Sequence, residues 1–404
     1  MHKKDVYIIG GGAAGFFCAA NLDAHFYNIY ILEQNADVLQ KVKISGGGRC
    51  NVTHACFDPR ELVKFYPRGN KELLSVFSKF QPGDTMEWFE NRNVSLKIED
   101  DNRVFPESNS SQSIINTLTS EAQQNNTTVI CKCVVKTIKQ NEDKYHIETS
   151  TGNYVADIII YTTGSAPKSL KLIESLGHKL VSPVPSLFTF NIKDPLISDL
   201  PGTSFAQSSV RIPVAKSEES GPMLITHWGL SGPAILKLSA WEARRLADLK
   251  YNFDIEVNFI DVHLNDAIDY LNDYKEEHPK KSILQGKPFD VTNRFWSKVL
   301  ETNQINEQKQ WSNISKKEVQ NIAETLCRKK MKVNGKSTFK DEFVTAGGVD
   351  LKEIDFKTMK SKFLPNFYIA GEVLNIDAVT GGFNFQACWS EAWLIAQDLN
   401  SNTF

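Results

Sequence analysis

The spacing of apolar residues along this chain changes period several times, and each change marks an element. Val6-Tyr7-Ile8-Ile9 is a short, β-branched run that predicts a buried strand. Ala13 to His25 reads as a helix rich in small and aromatic residues, and Asn28–Leu32 as a second strand ending at Glu33. Val129 to Lys139 and Lys144 to Ser150 predict the paired strands of a β-meander, with Glu142-Asp143 in the turn. Asp157–Tyr161 is a further strand, ending in Thr163-Gly164. Near the far end, Asn366–Ala370 is a strand ending in Gly371-Glu372. Thr380-Gly381-Gly382-Phe383-Asn384-Phe385-Gln386 then opens a helix running to about Leu399.

Between these segments the pattern differs. Leu187–Ile192, Ser208–Pro213, Met223–Thr226 and Tyr251–Phe259 are short alternating runs punctuated by prolines, which predicts a small barrel or sandwich. Leu264–Glu277, Asp290–Glu301 and Ser315–Lys330 read as helices, the last opened by a Ser315/Glu318 capping box. The chain then returns through Val333–Phe343 to the barrel. The expected division is therefore 1–185 with 345–404, 186–260 with 332–344, and a helical insert at 261–331.

Composition alters little. The 404 residues exceed one compact core, and 41% apolar with 23% charged residues is ordinary for a globular protein. A net charge of −2 gives no global pull toward nucleic acid or membrane. No apolar run approaches the ~18 residues that span a bilayer, and the amino-terminal run is too short for a signal peptide. The expectation is a cytoplasmic protein without a membrane partner. Seven cysteines without a Cys-x-x-Cys argue against both a disulfide framework and a dithiol reductase. Cys131-x-Cys133 has the wrong spacing for a zinc site and reads as two faces of one strand, so no metal is expected.

Gly10-x-Gly12-x-x-Gly15 lies between the first strand and the first helix. Gly10 permits the tight turn, Gly12 lets backbone approach a pyrophosphate, and Gly15 lets helix and strand pack closely. Unpaired N–H groups of Ala13 and Ala14 at the helix start suit phosphates. Glu33, 23 residues after Gly10, ends the second strand, where a carboxylate accepts from both ribose hydroxyls; Gln34 adjoins it. The acid disfavours a 2′-phosphate but does not choose between NAD and FAD.

The carboxy-terminal elements choose FAD. Flavoproteins of the Rossmann two-dinucleotide type place such a Gly-Glu strand beside the ribityl–pyrophosphate. The next helix points its positive end at the flavin, where it stabilises the reduced ring. The Thr163-Gly164 strand resembles another strand of that class, and Val134 or Val135 in the meander would offer backbone atoms to adenine.

Lys43-Ile44-Ser45-Gly46-Gly47-Gly48-Arg49-Cys50-Asn51 resembles a block of the HI0933-like (BaiN/aminoacetone-oxidase) flavoprotein family. Arg103-Val104-Phe105-Pro106, Thr226-His227-Trp228-Gly229-Leu230-Ser231-Gly232-Pro233, Thr345-Ala346-Gly347-Gly348-Val349 and Gly371-Glu372 to Gln386 continue the likeness over nearly the whole chain. The resemblance implies an α/β fold: a Rossmann-type FAD-binding domain carrying an inserted β-barrel-like domain and a small helical domain. It departs after Gly164, where Ser165-Ala166-Pro167-Lys168 leads directly into a helix ending at Gly177-His178. The family has a longer Gly/Ser-rich segment there, so contacts made by it do not carry over.

By the same resemblance the Ser45–Asn51 segment lies against the flavin. Three glycines form a nest of N–H groups, with Lys43, Ser45, Gly46 and Arg49 as candidate contacts and Asn51 at the ring edge. Cys50 is either redox-active or a small buried filler. Asp377, Gly382, Asn384, Phe385 and Gln386 complete the candidate cofactor set. For catalysis the candidates are His227, Arg49 and Asn51. His227 reads either as a hydrogen-bonded core histidine or as a proton donor. The basic run Arg328-Lys329-Lys330-Met331-Lys332 reads as a helix end, with an RNA contact as the alternative.

The family resemblance implies several activities: amine oxidation, reduction of conjugated steroids, and uridine reduction in ribosomal RNA. The first expectation is hydride transfer through flavin N5 to or from an activated C=C or C–N bond of a small molecule, with NADH or NADPH as reductant. A ribosomal-RNA dihydrouridine-forming reductase and a non-catalytic FAD-binding protein are the alternatives.

Overall fold

The computed structural model describes residues 3–337 and 344–401. The chain separates into two compact units, one of residues 1–184 and 340–404, the other of 185–339.

The first unit is built on a sheet in which Phe367–Ile369, Ile158–Tyr161, Lys4–Ile9, Tyr27–Leu32 and Thr128–Ile130 lie side by side in parallel. The short strands Ile354–Asp355 and Lys360–Ser361 extend it antiparallel at one edge. Val6, Ile8, Ile159 and Ile160 are wholly buried, as expected of strands covered on both faces. The helices Ala13–Asn21 and Phe383–Ser401 pack together, with Phe17 against Trp389 at 5.2 Å between centroids. The two ends of the chain thus share one core.

Val129–Lys139 is not one strand. Thr128–Ile130 joins the parallel sheet beside Tyr27–Leu32, and Lys132 turns the chain with φ +56°. Val135–Asn141 then pairs with Lys144–Thr149 in a separate three-stranded meander. Cys131 and Cys133 therefore lie at this turn, not on two faces of a strand. The first helix also ends early, at Asn21, with Leu22 in extended conformation.

In the second unit, eight strands among the described residues form an antiparallel sheet. Ser204–Phe205 and Ser217–Ser220 lie at its ends, with Thr189–Ile192 and Lys329–Ser337 at its centre. The helices Leu264–Glu277, Asn293–Thr302 and Lys316–Cys327 share one core with this sheet. Phe205, Phe259 and Phe295 interlock in it at centroid separations of 4.8–5.0 Å. Trp296 and Trp311 are buried and donate to the Ile283 and Gly286 carbonyls, which satisfies their indole N–H groups. The Ser315/Glu318 capping box is formed.

The basic run is not a helix end. The helix stops at Cys327, and Lys329 opens a strand on which Met331 and Val333 face inward. Lys330 and Lys332 face outward, directly opposite Glu256 and Asp254 on the neighbouring strand. The expected return through Val333–Phe343 is seen as far as Ser337; Phe343 lies outside the described residues.

Candidate functional site

The strand Lys4–Ile9 delivers the chain to Gly10 at the carboxyl end of the parallel sheet. Gly10 has φ +111°, and a Cβ there would stand 2.5 Å from the Thr162 carbonyl oxygen. A Cβ on Gly15 would stand 2.2 Å from the Gly10 oxygen, so helix and turn approach too closely for any side chain. Around Gly12, by contrast, no atom of the described residues beyond its chain neighbours lies within 4 Å of a built Cβ. Gly12 caps the helix in extended conformation without a side-chain hydrogen bond, as expected of a helix start open to a ligand. Ala13 is half-buried there and Ala14 buried.

Glu33 ends the second strand with only 8% of its surface exposed. One carboxylate oxygen accepts from the Gly11 N–H at 2.8 Å, the other from Asn35 N and Nδ2, each at 2.8 Å. A carboxylate has about four acceptor directions, and the protein occupies three. Glu33 thus braces the glycine loop and keeps room for roughly one further donor. Gln34 is exposed beside it. The Cys133 N–H donates to the Glu33 carbonyl at 2.8 Å, which ties the turn before the meander to this acid. Val134 is 39% exposed, but its N–H donates to Ser150 Oγ and its carbonyl accepts from Ser150 N, both at 2.9 Å. Val135 begins the ladder opposite Thr149.

The far end of the chain closes on the same loop. Ala370 N donates to the Tyr161 carbonyl, and Gly371 follows with φ +83°. A Cβ on Gly371 would lie 3.4 Å from that of Ala14, so the Gly-Glu turn sits against the first turn of the dinucleotide helix. Glu372 forms an ion pair with Lys41 and faces Gly164, whose φ is +67°. Thr162 Oγ1 donates to the Gly10 carbonyl at 3.0 Å, and Thr163 Oγ1 to that of Gly164 at 3.3 Å.

The glycine block continues a short helix that begins at Gln40 and loses helical geometry at Ser45. Gly46, Gly47 and Gly48 have φ of +57°, +68° and +85°, and among the described residues no atom beyond the chain neighbours lies within 4 Å of a Cβ built on either of the last two. Successive left-handed residues of this kind turn N–H groups into one concavity. Ser45 Oγ donates to the Val42 carbonyl, so its hydroxyl serves the helix end. Arg49 stacks 3.9 Å over the Phe105 ring and pairs with Glu99 at 2.6 Å. Cys50 is wholly buried, and burial pushes its thiol up to about 12. Lys43 is exposed; with Phe16, Val38, Ile115 and Cys131 it lines a cavity of about 370 Å³ alongside the Ser111–Gln124 helix.

Asn51 is not directed outward. In the orientation that satisfies both ends of its amide, the nitrogen donates to the Thr53 carbonyl and the oxygen accepts from Gly382 N, each at 3.0 Å. It fastens the glycine block to the start of the last helix. Gly382, with φ +92°, is required there, because a Cβ would fall 2.5 Å from the Thr53 oxygen.

Several other expected contacts build this helix start from within. Gln386 is buried, accepts from Thr53 Oγ1 at 2.5 Å and Thr85 Oγ1 at 2.9 Å, and donates to Ser390 at 2.9 Å. Asn384 clasps both backbone groups of Ala378, and Phe385 stacks on Trp389. Asp377 is 0% exposed and forms a two-pronged pair with Arg68. Arg68 and Tyr66, whose hydroxyl donates to the Phe383 carbonyl at 2.5 Å, were missed in the sequence; so was the stack of His54 and Phe65 on Phe383. Only the turn-like Pro67-Arg68-Gly69 hinted at them, and no spacing linked it to residue 377.

In the second unit, His227 and Trp228 form the tip of a hairpin between Met223–Ile225 and Gly229–Ser231. Thr226 Oγ1 accepts from both Trp228 N and Gly229 N at 3.2 Å, closing the turn. His227 is exposed and Trp228 is 57% exposed, which excludes the core-histidine reading.

Open glycines, an uncapped helix start, a ribose-ready acid and a second strand–turn–helix beside them together fit FAD. Comparison with known proteins agrees. The family model described as "HI0933-like protein Rossmann domain" matches residues 4–398. A ribosomal RNA dihydrouridine synthase of Escherichia coli (strain K12) is 26% identical over 99% of this chain and 98% of its own. A 3-dehydro-bile acid delta(4,6)-reductase of Clostridium scindens is 24% identical over 96% of this chain and 97% of its own. Among solved structures, a 3-ketosteroid-delta4-(5alpha)-dehydrogenase from Rhodococcus jostii RHA1 shares the fold. It has a TM-score of 0.50, 11% identity, and coverage of 98% of this chain and 97% of that one. No helix among the described residues is long and apolar enough to cross a membrane.

Proposed function

The chain belongs to the HI0933-like family of FAD-dependent oxidoreductases, and from that premise we propose that it reduces a carbon–carbon double bond conjugated to a carbonyl group in a small molecule. The observation that carries this reading is the double-ended cradle, in which Gly371 rests on Ala14 and Asn51 joins the glycine block to Gly382. In this reading Ala13 and Ala14 N–H groups and the Gly46–Gly48 nest hold phosphate and carbonyl oxygens, and Glu33 holds the ribose. The helix from Phe383 presents its positive end to the ring. FAD held there would supply hydride chemistry, with NADH or NADPH as the reductant.

The chain's own groups then position and exclude. Arg68 and Asp377 lock the loop before the helix, and Tyr66, His54 and Phe65 fix Phe383 at its first turn. Burial raises the thiols of both Cys50 and Cys388, the latter well above its ordinary value, which keeps these two protonated. Two relatives whose names describe reduction of unsaturated rings, one acting in ribosomal RNA and one on a bile acid, support the reaction class.

The first of them, similar over its full length, favours a second reading in which the double bond is that of uridine in ribosomal RNA. The exposed lysines of the 329–337 strand lend this no help, since each faces an acid. Anaerobic reduction by NADH or NADPH, followed by reoxidation with conjugated enones or with unmodified ribosomal RNA, tests both. Oxidation coupled to saturation of the enone supports the first reading; dihydrouridine in the RNA replaces it with the second. Reoxidation by neither class refutes both.

A further inference from the structure

Glu391 lies on the last helix, is wholly buried, and has no part in the reading above. Its Oε2 accepts the Gly371 N–H at 2.6 Å, while Oε1 is buried without a hydrogen-bond partner among the described residues. A Cβ built on Gly371 would stand 3.4 Å from that of Ala14, so the two turns lie side by side. This carboxyl therefore stands one residue behind the place where the two ends of the chain meet around the pyrophosphate-binding turn. We propose that Glu391 holds a proton when FAD is bound, and that loss of this proton weakens the hold on FAD.

The argument is one of charge and solvation. An ionised carboxylate needs several donors or a cation when removed from water, and Glu391 has one N–H. The ionisable groups around it are of the wrong sign or kind. The Cys388 thiol lies on the same helix and the Tyr66 hydroxyl on the segment packed against it. From the Gly371-Glu372 turn comes the Glu372 carboxylate, whose charge Lys41 already answers. Burial raises the Glu391 carboxyl to about 8, opposed only by the Gly371 N–H. Bound in the cradle, FAD would add the negative charge of its pyrophosphate near this turn, which would favour the neutral acid further. By linkage, a group that binds its proton more tightly in the complex makes the complex weaker as pH rises. Affinity is full below the pKa of the free protein and falls up to tenfold for each pH unit between that value and the higher value in the complex.

This inference rests on FAD occupying the cradle, and the experiment separates the two. FAD affinity of the stripped protein is measured by flavin fluorescence quenching from pH 6.5 to 9.5, for the native chain and for Glu391→Gln. Glutamine keeps an acceptor for Gly371 N–H and cannot ionise. The expected result is an affinity that falls roughly tenfold or more over this range in the native chain and stays level in the variant. A parallel fall in both, or a level native profile, overturns the proposal. Should the variant not fold, titration calorimetry of the native chain at pH 8 in buffers of different ionisation enthalpy decides: proton uptake on FAD binding supports it, and none refutes it. Failure to bind FAD at any pH would instead refute the cofactor assignment itself.

Discussion

Replacing Glu391 by glutamine should stabilise this protein, and by an amount that depends on pH. In the open chain the carboxyl has its ordinary value of 4.5; in the folded protein burial raises it to about 8. A folded-state value raised in this way makes the acid's contribution most favourable below pH 4.5, and that advantage is lost as pH rises toward 8. At pH 7 folding requires the carboxyl to take up a proton that the open chain has released. At about 1.4 kcal/mol per tenfold difference in proton binding, this costs about 3 kcal/mol. Glutamine avoids that cost while keeping the 2.6 Å bond from Gly371 N. Thermal unfolding of the FAD-free forms, followed by circular dichroism at pH 5, 6, 7 and 8, should show the variant's advantage growing with pH. An advantage of a few degrees at pH 7 that shrinks toward pH 5 is expected. A difference independent of pH, or a variant less stable at pH 8 than at pH 5 relative to the native chain, would refute the reasoning.

Other substitutions test the cradle. Gly12→Val should leave the unfolding temperature of the FAD-free protein nearly unchanged, because the space around Gly12 is open, yet reduce FAD affinity at least tenfold by equilibrium dialysis. Gly15→Ala, where the new methyl meets a backbone oxygen, should fail to yield folded protein at all. Arg68→Met leaves Asp377 buried without its cation and should cost about 3–5 kcal/mol in denaturant titration; Asp377→Asn in the same chain should recover part of it. Glu33→Gln should weaken FAD binding and loosen the glycine loop together, since a neutral amide accepts less strongly from Gly11 and Asn35 N–H; an unchanged dissociation constant would show that the ribose is held elsewhere.

Local pattern made the sequence readable wherever one segment defines its own partner. The Gly10–Gly15 turn, the apolar strand before it and the capped helix at Ser315 are cases of this kind. Pairing across distance was not legible. Thr128–Ile130 and Val135–Asn141 look alike as β-branched runs, and only the turn at Lys132 sends them into different sheets. The lysines after Cys327 read as a helix end because nothing local revealed the acids at 254 and 256 opposite them. Polar residues near the last helix start suggested ligand contacts. Asn51 instead joins the Thr53 carbonyl to Gly382 N, Gln386 accepts from Thr53 and Thr85, and Asp377 pairs with Arg68, most of these partners lying about 300 residues away along the chain. A buried polar residue and a ligand-facing one share the same composition signal; only the fold separates them.

The contact between Ala14 and Gly371 has a consequence for how the protein is made. About 350 residues must leave the ribosome between the two halves of the cradle, which at 5–20 residues per second is on the order of 20–70 s. Through that interval the first helix lacks the final helix that packs beside it, with Phe17 waiting for Trp389. If both halves of the cradle hold FAD, the cofactor should act late, as a clasp on a nearly finished fold. Cells short of flavin would then accumulate full-length chains whose termini part easily and fall first to proteases.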